Sequence, residues 1–344
     1  MNISQFDYHL PKQLIAQRLV SPRDRCRLLV MQTKKKNEHR RFSDIISYLH
    51  KGDVLVINDT KVFPARIHAK KETGGKVEVF LLKDLGNGKW QILLKHYRTA
   101  MNTPLIFPRG LQAHIIGRSD AVWTIRFNKK GKALRTVLEK IGETPTPPYI
   151  TASAAAKEYQ TVYAKKRGSV AAPTAGFHFT RPLMASLKKQ GILFVPVTLH
   201  VGLGTFAPVK ETDITLHKMH KEEAELSVGA SRILNRAKKD GRRVIAVGTT
   251  ATRLLESFSD ARGTLRPGEK AVDLFAYPGY RFSTVDGMIT NLHLPKSTLL
   301  MLVAAFIAHK DKTRGVPKKL LATYREAIKK KYRFYSFGDA MLIL

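Results

Sequence analysis

Apolar and polar positions along the chain fall into two regimes. Near the N-terminus LPKQLIAQ predicts a helix, CRLLVM a strand, FSDIISYLH an amphipathic helix opened by Ser43, and DVLVIN a buried strand. From residue 62 to residue 150 the pattern shortens. KVEVFLL, KWQILLK, LQAHIIG and AVWTIRF alternate as short strands, separated by Gly-rich or Asn-Gly turns, and both tryptophans, Trp90 and Trp123, lie among them. After Pro145, Pro147 and Pro148 the longer periods return, with RPLMASLKKQ ahead of ILFVPVTLHV and SRILNRAKKD ahead of RRVIAVG. These strands carry few polar interruptions, as expected where helices cover both faces of a sheet. The pattern predicts an α/β protein: a large discontinuous α/β domain, residues 1–61 and 151–344, with a small all-β domain, residues 62–150, inserted into it.

A chain of 344 residues, 43% of them hydrophobic, has material for two cores without staples. A single cysteine, Cys26, excludes an internal disulfide and any multi-cysteine zinc site, and suits a reducing compartment, so a cytoplasmic location is expected. The start MNISQFDYHLPKQ lacks a basic-then-apolar signal pattern, and the apolar run Leu299 to Ala308 is too short to cross a bilayer; no membrane role is expected.

Charge narrows the partners. Lys plus Arg number 60 against 27 Asp plus Glu, a net charge of +33, which concentrates polyanions and displaces counterions from phosphates. The clusters Lys34 to Lys36 with Arg40 and Arg41, Lys129 to Lys132, Lys165 to Arg167, Lys238 to Arg243 and Lys329 to Arg333 spread this charge along the chain. Any one cluster reads as a solvated surface, whereas the sum points to nucleic acid bound in a salt-sensitive way.

Candidate chemistry lies at predicted strand ends. Val285 to Ala308 reads as a strand end, a polar elbow holding Thr290, Asn291, His293, Lys296, Ser297 and Thr298, and a buried helix. Polar groups at such a junction face a crevice and need partners once desolvated. Gly168 to Phe179 adds Thr174 and His178 beside small residues that permit close backbone approach, and Leu199 to Val209 adds His200, Gly202 and Gly204. In Val244 to Glu256, Gly248, Thr249 and Thr250 sit between a strand and a helix and turn free backbone N–H groups toward an anion. YRFYSFGDAMLIL closes the chain. Each has a structural explanation alone: Ser297 caps a helix, Asn291 shapes a turn, His178 and His200 sit in a core. Together they predict convergence outside the carboxyl ends of the strands of an open sheet.

Other motifs are weak. Gly202-x-Gly204 lacks the third glycine of a dinucleotide fingerprint, and Glu211 and Asp213 come too early for its acidic ribose ligand. His217, His220, Glu222 and Glu223 stand close in sequence without the spacing of a metal pair.

The strings FDYHLPKQLIAQ, GDVLVINDTKVFPARI, TPPYI, YQTVYAKKRGSVAAPTAGFHFT, LHVGLGTFAPV, VGTTATRLLES, TNLHLPKSTLLMLVAAF and YRFYSFGDAMLI, in this order, resemble the S-adenosylmethionine:tRNA ribosyltransferase-isomerases of queuosine biosynthesis over almost the whole chain. The resemblance implies an α/β domain with a smaller β-barrel domain. It also implies transfer and isomerisation of the ribosyl moiety of S-adenosylmethionine, a co-substrate, onto 7-aminomethyl-7-deazaguanine in the wobble position of tRNA. Epoxyqueuosine forms, adenine and methionine leave, and no metal is required. A monomer is expected.

Such chemistry needs a base for the C5′ hydrogen acidified by the sulfonium, a donor for the departing adenine, and deprotonation of the attacking amine. His178 and His200 lead as proton-transfer candidates, followed by Asp339 and Glu222. Thr174, Gly176, Gly202, Gly204, Thr249, Thr250, Arg253, Asn291, His293 and Lys296 are the expected pocket, and Asn58, Asp59, Thr60 and Arg66 a motif at the junction of the domains. The chain departs from the family pattern at Lys221, where Ser is more usual, at Leu292, where Phe is, and at Lys157 and Glu158, which replace an acidic loop end; fine contacts near 157 and 221 are the ones affected. Two rival readings are a non-catalytic RNA-binding protein and an S-adenosylmethionine-dependent RNA methyltransferase. The first gives no reason for Thr, Asn and His at several strand ends.

Overall fold

The computed structural model describes residues 1–32, 35–95, 104–145, 149–150, 158–202, 209–313 and 315–344. Gly204, Lys34, Pro147, Pro148, Lys157 and the run from Ala152 to Ala156 lie outside the described residues. Within them the strands and α-helices run, in order, β1 (Arg27–Met31), β2 (Glu38–Arg41), β3 (Val54–Asn58), β4 (Thr60–Val62), β5 (Arg66–Lys71), β6 (Lys76–Gly86), β7 (Lys89–Lys95), β8 (Pro104–Ile106), β9 (Gln112–Ser119), β10 (Val122–Phe127) and α1 (Gly131–Ile141). The remainder are β11 (Lys166–Ser169), α2 (Arg181–Lys189), β12 (Leu193–Leu199), β13 (Glu222–Leu226), α3 (Val228–Lys239), β14 (Val244–Val247), α4 (Thr249–Phe258), β15 (Gly268–Val272), β16 (Gly287–Asn291), α5 (Thr298–Lys310), α6 (Lys318–Lys329) and β17 (Ala340–Ile343).

Nine strands form one sheet in the order β15-β13-β12-β3-β14-β16-β17-β1-β2. β12, β3, β14 and β16 run parallel to one another, β17 is antiparallel to β16 and parallel to β1, and the edges are antiparallel. Every residue of β3, β14, β16 and β17 is buried, as strands covered on both faces are. Side-chain alternation divides them between two cores. Val54, Val56, Val244, Ala246 and Met288 face one core with α4 and α5, while Leu55, Ile57, Ile245, Val247 and Ile289 face another with α2.

Strands β5 to β10 close into a barrel in the order β10-β7-β6-β5-β8-β9. β4, before the barrel, and β11, after it, pair in parallel, so the segments flanking the barrel lie side by side and run in the same direction. Helix α1 corrects the expectation of an all-β unit: Leu134 and Leu138, one turn apart, enter the barrel core.

Two predicted N-terminal helices are also corrected. LPKQLIAQ forms only a three-residue 3-10 turn, because the chain beyond it pairs with the C-terminal segment, Phe334 N–H donating to Leu14 O and Ala16 N–H to Phe334 O. FSDIISYLH forms a 3-10 helix over Phe42–Ser47, opened by the Asp44 carboxylate accepting the Arg41 N–H rather than by Ser43. Its Phe42 and Ile45, three apart, share the buried side that a threefold helix provides.

Candidate active site

The carboxyl ends of β3, β12, β14 and β16 come together, and the side chains at those ends are locked by hydrogen bonds. Asn58, ending β3, is buried and serves three elements: its Nδ2 donates to Leu199 O (2.9 Å) and Thr250 Oγ1 (3.3 Å), and its Oδ1 accepts from Leu199 N–H (3.1 Å). The Thr198 hydroxyl donates to Asp59 (2.7 Å), and Thr60 Oγ1 lies 2.8 Å from His200 Nδ1. The family-like motif at the junction therefore sets the positions of β12 and α4. Arg66 stands apart at the start of the barrel, its backbone paired with Glu143.

Around this knot lie two adjoining cavities. A small recess of about 40 Å³ is lined by Thr174, Gly248, Thr249, Thr250, Thr290, Asn291, His293, Tyr335 and Ser336, with Ala172, Pro173, Ala175, Val201 and Leu299. A cleft of about 820 Å³, within the range of small-molecule sites, opens between the barrel and the sheet. Phe63, Leu82, Trp90, Leu93 and Val122 give it apolar walls, and Lys83, Arg135, Arg167, His200, Gly202, Lys221, Glu222 and Glu223 are among the other residues that line it. Val201 borders both cavities, so one side chain separates them.

Of the residues singled out in the sequence, Thr174, Thr249, Thr250, Asn291 and His293 line the recess, and His200, Gly202 and Glu222 line the cleft. His200 packs flat against Gly168, where an added Cβ would come within 2.6 Å of the ring, and burial lowers its pKa more than Glu223 and Asp59 raise it. The imidazole is therefore held toward its neutral, proton-accepting form.

The remaining candidates stand elsewhere. His178 lines neither cavity: its Nε2 lies 3.2 Å from Asn291 Nδ2 and its Nδ1 3.1 Å from Cys26 Sγ. An amide NH₂ can only donate, so Nε2 accepts and the Nδ1–H faces the sulfur. Asn291 is thereby fixed, its second N–H reaching Tyr335 O (3.1 Å) and its Oδ1 accepting from the Thr174 hydroxyl (3.2 Å) at the recess. His178 thus stands behind Asn291, with no contact to either cavity. Asp339 is spent on the Arg27 and Arg333 N–H groups (2.9 and 2.8 Å) and away from both cavities. Arg253 faces Glu222 across 2.5 Å, both side chains buried, and Glu222 also accepts the Gly202 N–H (2.8 Å). Gly176 packs under Tyr163, whose hydroxyl an added Cβ would overlap, and Lys296 pairs with Asp7 (2.7 Å) at the surface. The acidic and histidine run near Met219 diverges, His217 turning to Glu211, Glu222 to Arg253 and Glu223 to Lys83.

Sequence reasoning missed Ser336 and the barrel residues Leu82, Gln91, Leu93 and Val122. The signal available for Gln91 and Leu93 was their alternation with the inward-facing Trp90 and Ile92, which turns them out of the barrel.

Burial of two imidazoles has a consequence for stability. Desolvation lowers both His178 and His293 from an ordinary 6.5 to about 3. Between those values the unfolded chain binds more protons than the folded one, so this contribution is complete above pH 6.5 and shrinks as pH falls toward 3. The urea midpoint is expected to be lower at about pH 5 than at about pH 7, and less so in His178→Phe. Identical midpoints would contradict burial of the neutral rings.

A family model described as queuosine biosynthesis protein matches residues 3–343. A relative from Pelotomaculum thermopropionicum, named S-adenosylmethionine:tRNA ribosyltransferase-isomerase, is 47% identical over 350 residues and covers 100% of both chains. One of the same name from Symbiobacterium thermophilum is 48% identical over 350 residues, again with 100% of both chains covered. The crystal structure of S-adenosylmethionine tRNA ribosyltransferase from Thermotoga maritima aligns with a TM-score of 0.56 and 37% identity, covering 99% of this chain and 100% of that one.

Proposed function

The chain belongs to the queuosine biosynthesis protein family, and from this we infer that it is an S-adenosylmethionine:tRNA ribosyltransferase-isomerase. It is a transferase acting on tRNA, and S-adenosylmethionine is its ribosyl donor. The acceptor is the aminomethyl group of 7-aminomethyl-7-deazaguanine at the wobble position; the products are epoxyqueuosine, adenine and methionine. We assign residues 1–61 and 151–344 to a catalytic domain and 62–150 to an inserted one, and expect a monomeric cytoplasmic enzyme that needs no metal. No helix among the described residues is long and apolar enough to cross a membrane.

One observation carries the reading of the site: the polar strand ends gather on a recess that shares Val201 with a cleft large enough for two reactants. A ribosyl transfer needs its donor and acceptor within bonding reach, and the cleft is where a sulfonium nucleoside and a base can lie together. Its apolar walls suit flat rings, and the surplus of Lys and Arg suits the phosphates that follow the base. Proton removal falls to His200, which lines the cleft and is kept neutral by burial. Asn291 and Thr174 orient the donor, with His178 fixing the amide from behind. Glu222 stays bound to Arg253 and holds the Gly202 N–H, which shapes the floor.

Incubation with S-adenosylmethionine and tRNA carrying the deazaguanine precursor tests the assignment. Nucleoside mass analysis is expected to show epoxyqueuosine replacing the precursor, with free adenine and methionine released and no change in tRNA carrying guanine at that position. A methylated nucleoside would instead support the methyltransferase, and an unaltered tRNA the non-catalytic binder.

A further inference from the structure

We propose that the recess at the start of α4 is a carboxylate subsite, which receives the amino-acid end of S-adenosylmethionine. This rests on the activity inferred above and adds which end of the donor points inward. α4 begins inside the protein, with Thr249 at 7%, Thr250 at 6% and Ala251 at 0% exposure. Gly248 in the capping position has no side chain to offer, and among the described residues none of the first three helical N–H groups meets an acceptor. Buried helix starts without partners are rare, because each orphan N–H is costly to desolvate.

An independent observation points at the same place. His293 lines the recess and is 5% exposed; its Nε2 lies 2.8 Å from the Thr290 hydroxyl, while its Nδ1 has no partner among the described residues. A neutral ring carries one proton, so a Thr290 hydroxyl that donates to Nε2 puts the N–H on Nδ1. The Thr250 hydroxyl, which accepts from Asn58, keeps its own hydrogen to donate. The recess thus gathers a helix N-terminus, an imidazole N–H and a hydroxyl, all donors, in a space of about 40 Å³.

The charge of the lining selects the ligand class. No Lys or Arg lines the recess among the described residues, and the nearby Lys296 is committed to Asp7. Neutral donors and one helix dipole suit a singly charged carboxylate, whereas a phosphate dianion is commonly met by Arg or Lys. A carboxylate also fits the volume, with the sulfonium and nucleoside continuing past Val201 into the cleft.

Steady-state turnover with precursor-bearing tRNA at saturation tests this, comparing S-adenosylmethionine with its decarboxylated analogue, which keeps both sulfonium and ribose. In the parent enzyme the analogue's kcat/KM is expected to be lower by about 30-fold, the loss of charge-assisted hydrogen bonds to one carboxylate. His293→Ala is expected to bring S-adenosylmethionine down to the analogue's level while moving the analogue by less than about threefold. Thr250→Val is expected to narrow the gap in the same direction, and serves where His293→Ala does not fold by thermal melting. Equal kcat/KM for the two donors in the parent, or variants that slow both donors by the same factor, would overturn the subsite and leave the activity standing. Turnover of neither donor would overturn the activity and the subsite together.

Discussion

Arg253→Met is expected to destabilise the protein by about 3–5 kcal/mol, because it leaves the Glu222 carboxylate buried without its counter-ion. The two side chains are each 3% exposed and 2.5 Å apart. Arg253 also donates to Leu274 O (3.1 Å) and Val272 O (3.4 Å), so one guanidinium ties α4 to β13, to the end of β15 and to the chain just beyond it. Replacing both partners, Glu222→Gln with Arg253→Met, is expected to recover more than half of the loss, since the uncompensated charge is then gone. Urea unfolding of the parent, the single and the double variants measures this. A single variant within about 1 kcal/mol of the parent would show that water reaches the pair. The same carboxylate holds the Gly202 N–H, so Arg253→Met is expected to lose turnover beyond what its unfolded fraction explains.

His200→Ala is expected to lower kcat by about 10²–10⁴-fold, the usual worth of a positioned proton acceptor, with little change in the KM for tRNA. The pH profile carries a second signature. In the proposed role His200 takes the proton as the free base, so kcat is expected to fall as acid protonates it. Because burial places its pKa below the ordinary 6.5, the acid limb of the parent lies below that pH. The limb is expected to vanish in His200→Ala and to persist in His178→Ala, whose ring works through Asn291 and touches neither cavity. His178→Ala is expected to raise the KM for S-adenosylmethionine, with His178→Gln restoring part of the loss through an amide oxygen that accepts from Asn291. Turnover of His200→Ala within a few-fold of the parent would remove this residue from the proton path.

Much of the fold was legible because burial leaves a period. β3 and β14 appear as apolar runs, and their odd and even residues divide between two cores. The barrel strands were legible from alternation and turn residues. α1 was missed although Leu134 and Leu138 stand one turn apart, because the strands before it set an all-β expectation. FSDIISYLH was misread because apolar residues three apart fit either an α or a 3-10 helix, and only packing decides.

The site was legible in kind more than in role. Thr174, Thr249, Thr250, Asn291 and His293 share one recess because small and polar residues at strand ends are anomalous in an apolar chain. Sequence gives no partner, however. Asp339 and Lys296 belong to local backbone and surface pairs, and His178 and His200, equal as letters, differ in that only one borders a cavity. The barrel's share of the cleft, Leu82, Gln91, Leu93 and Val122, becomes visible only once β6, β7 and β10 are curled against the sheet.

The most direct measurement follows two labels of S-adenosylmethionine, one in the ribose and one in the methyl group, through a single incubation with precursor-bearing tRNA. The ribose label is expected to enter the tRNA in equal amount to the adenine released, while the methyl label leaves with methionine. Methyl label in the tRNA, or ribose label remaining with the small molecules while tRNA is bound, would contradict the account.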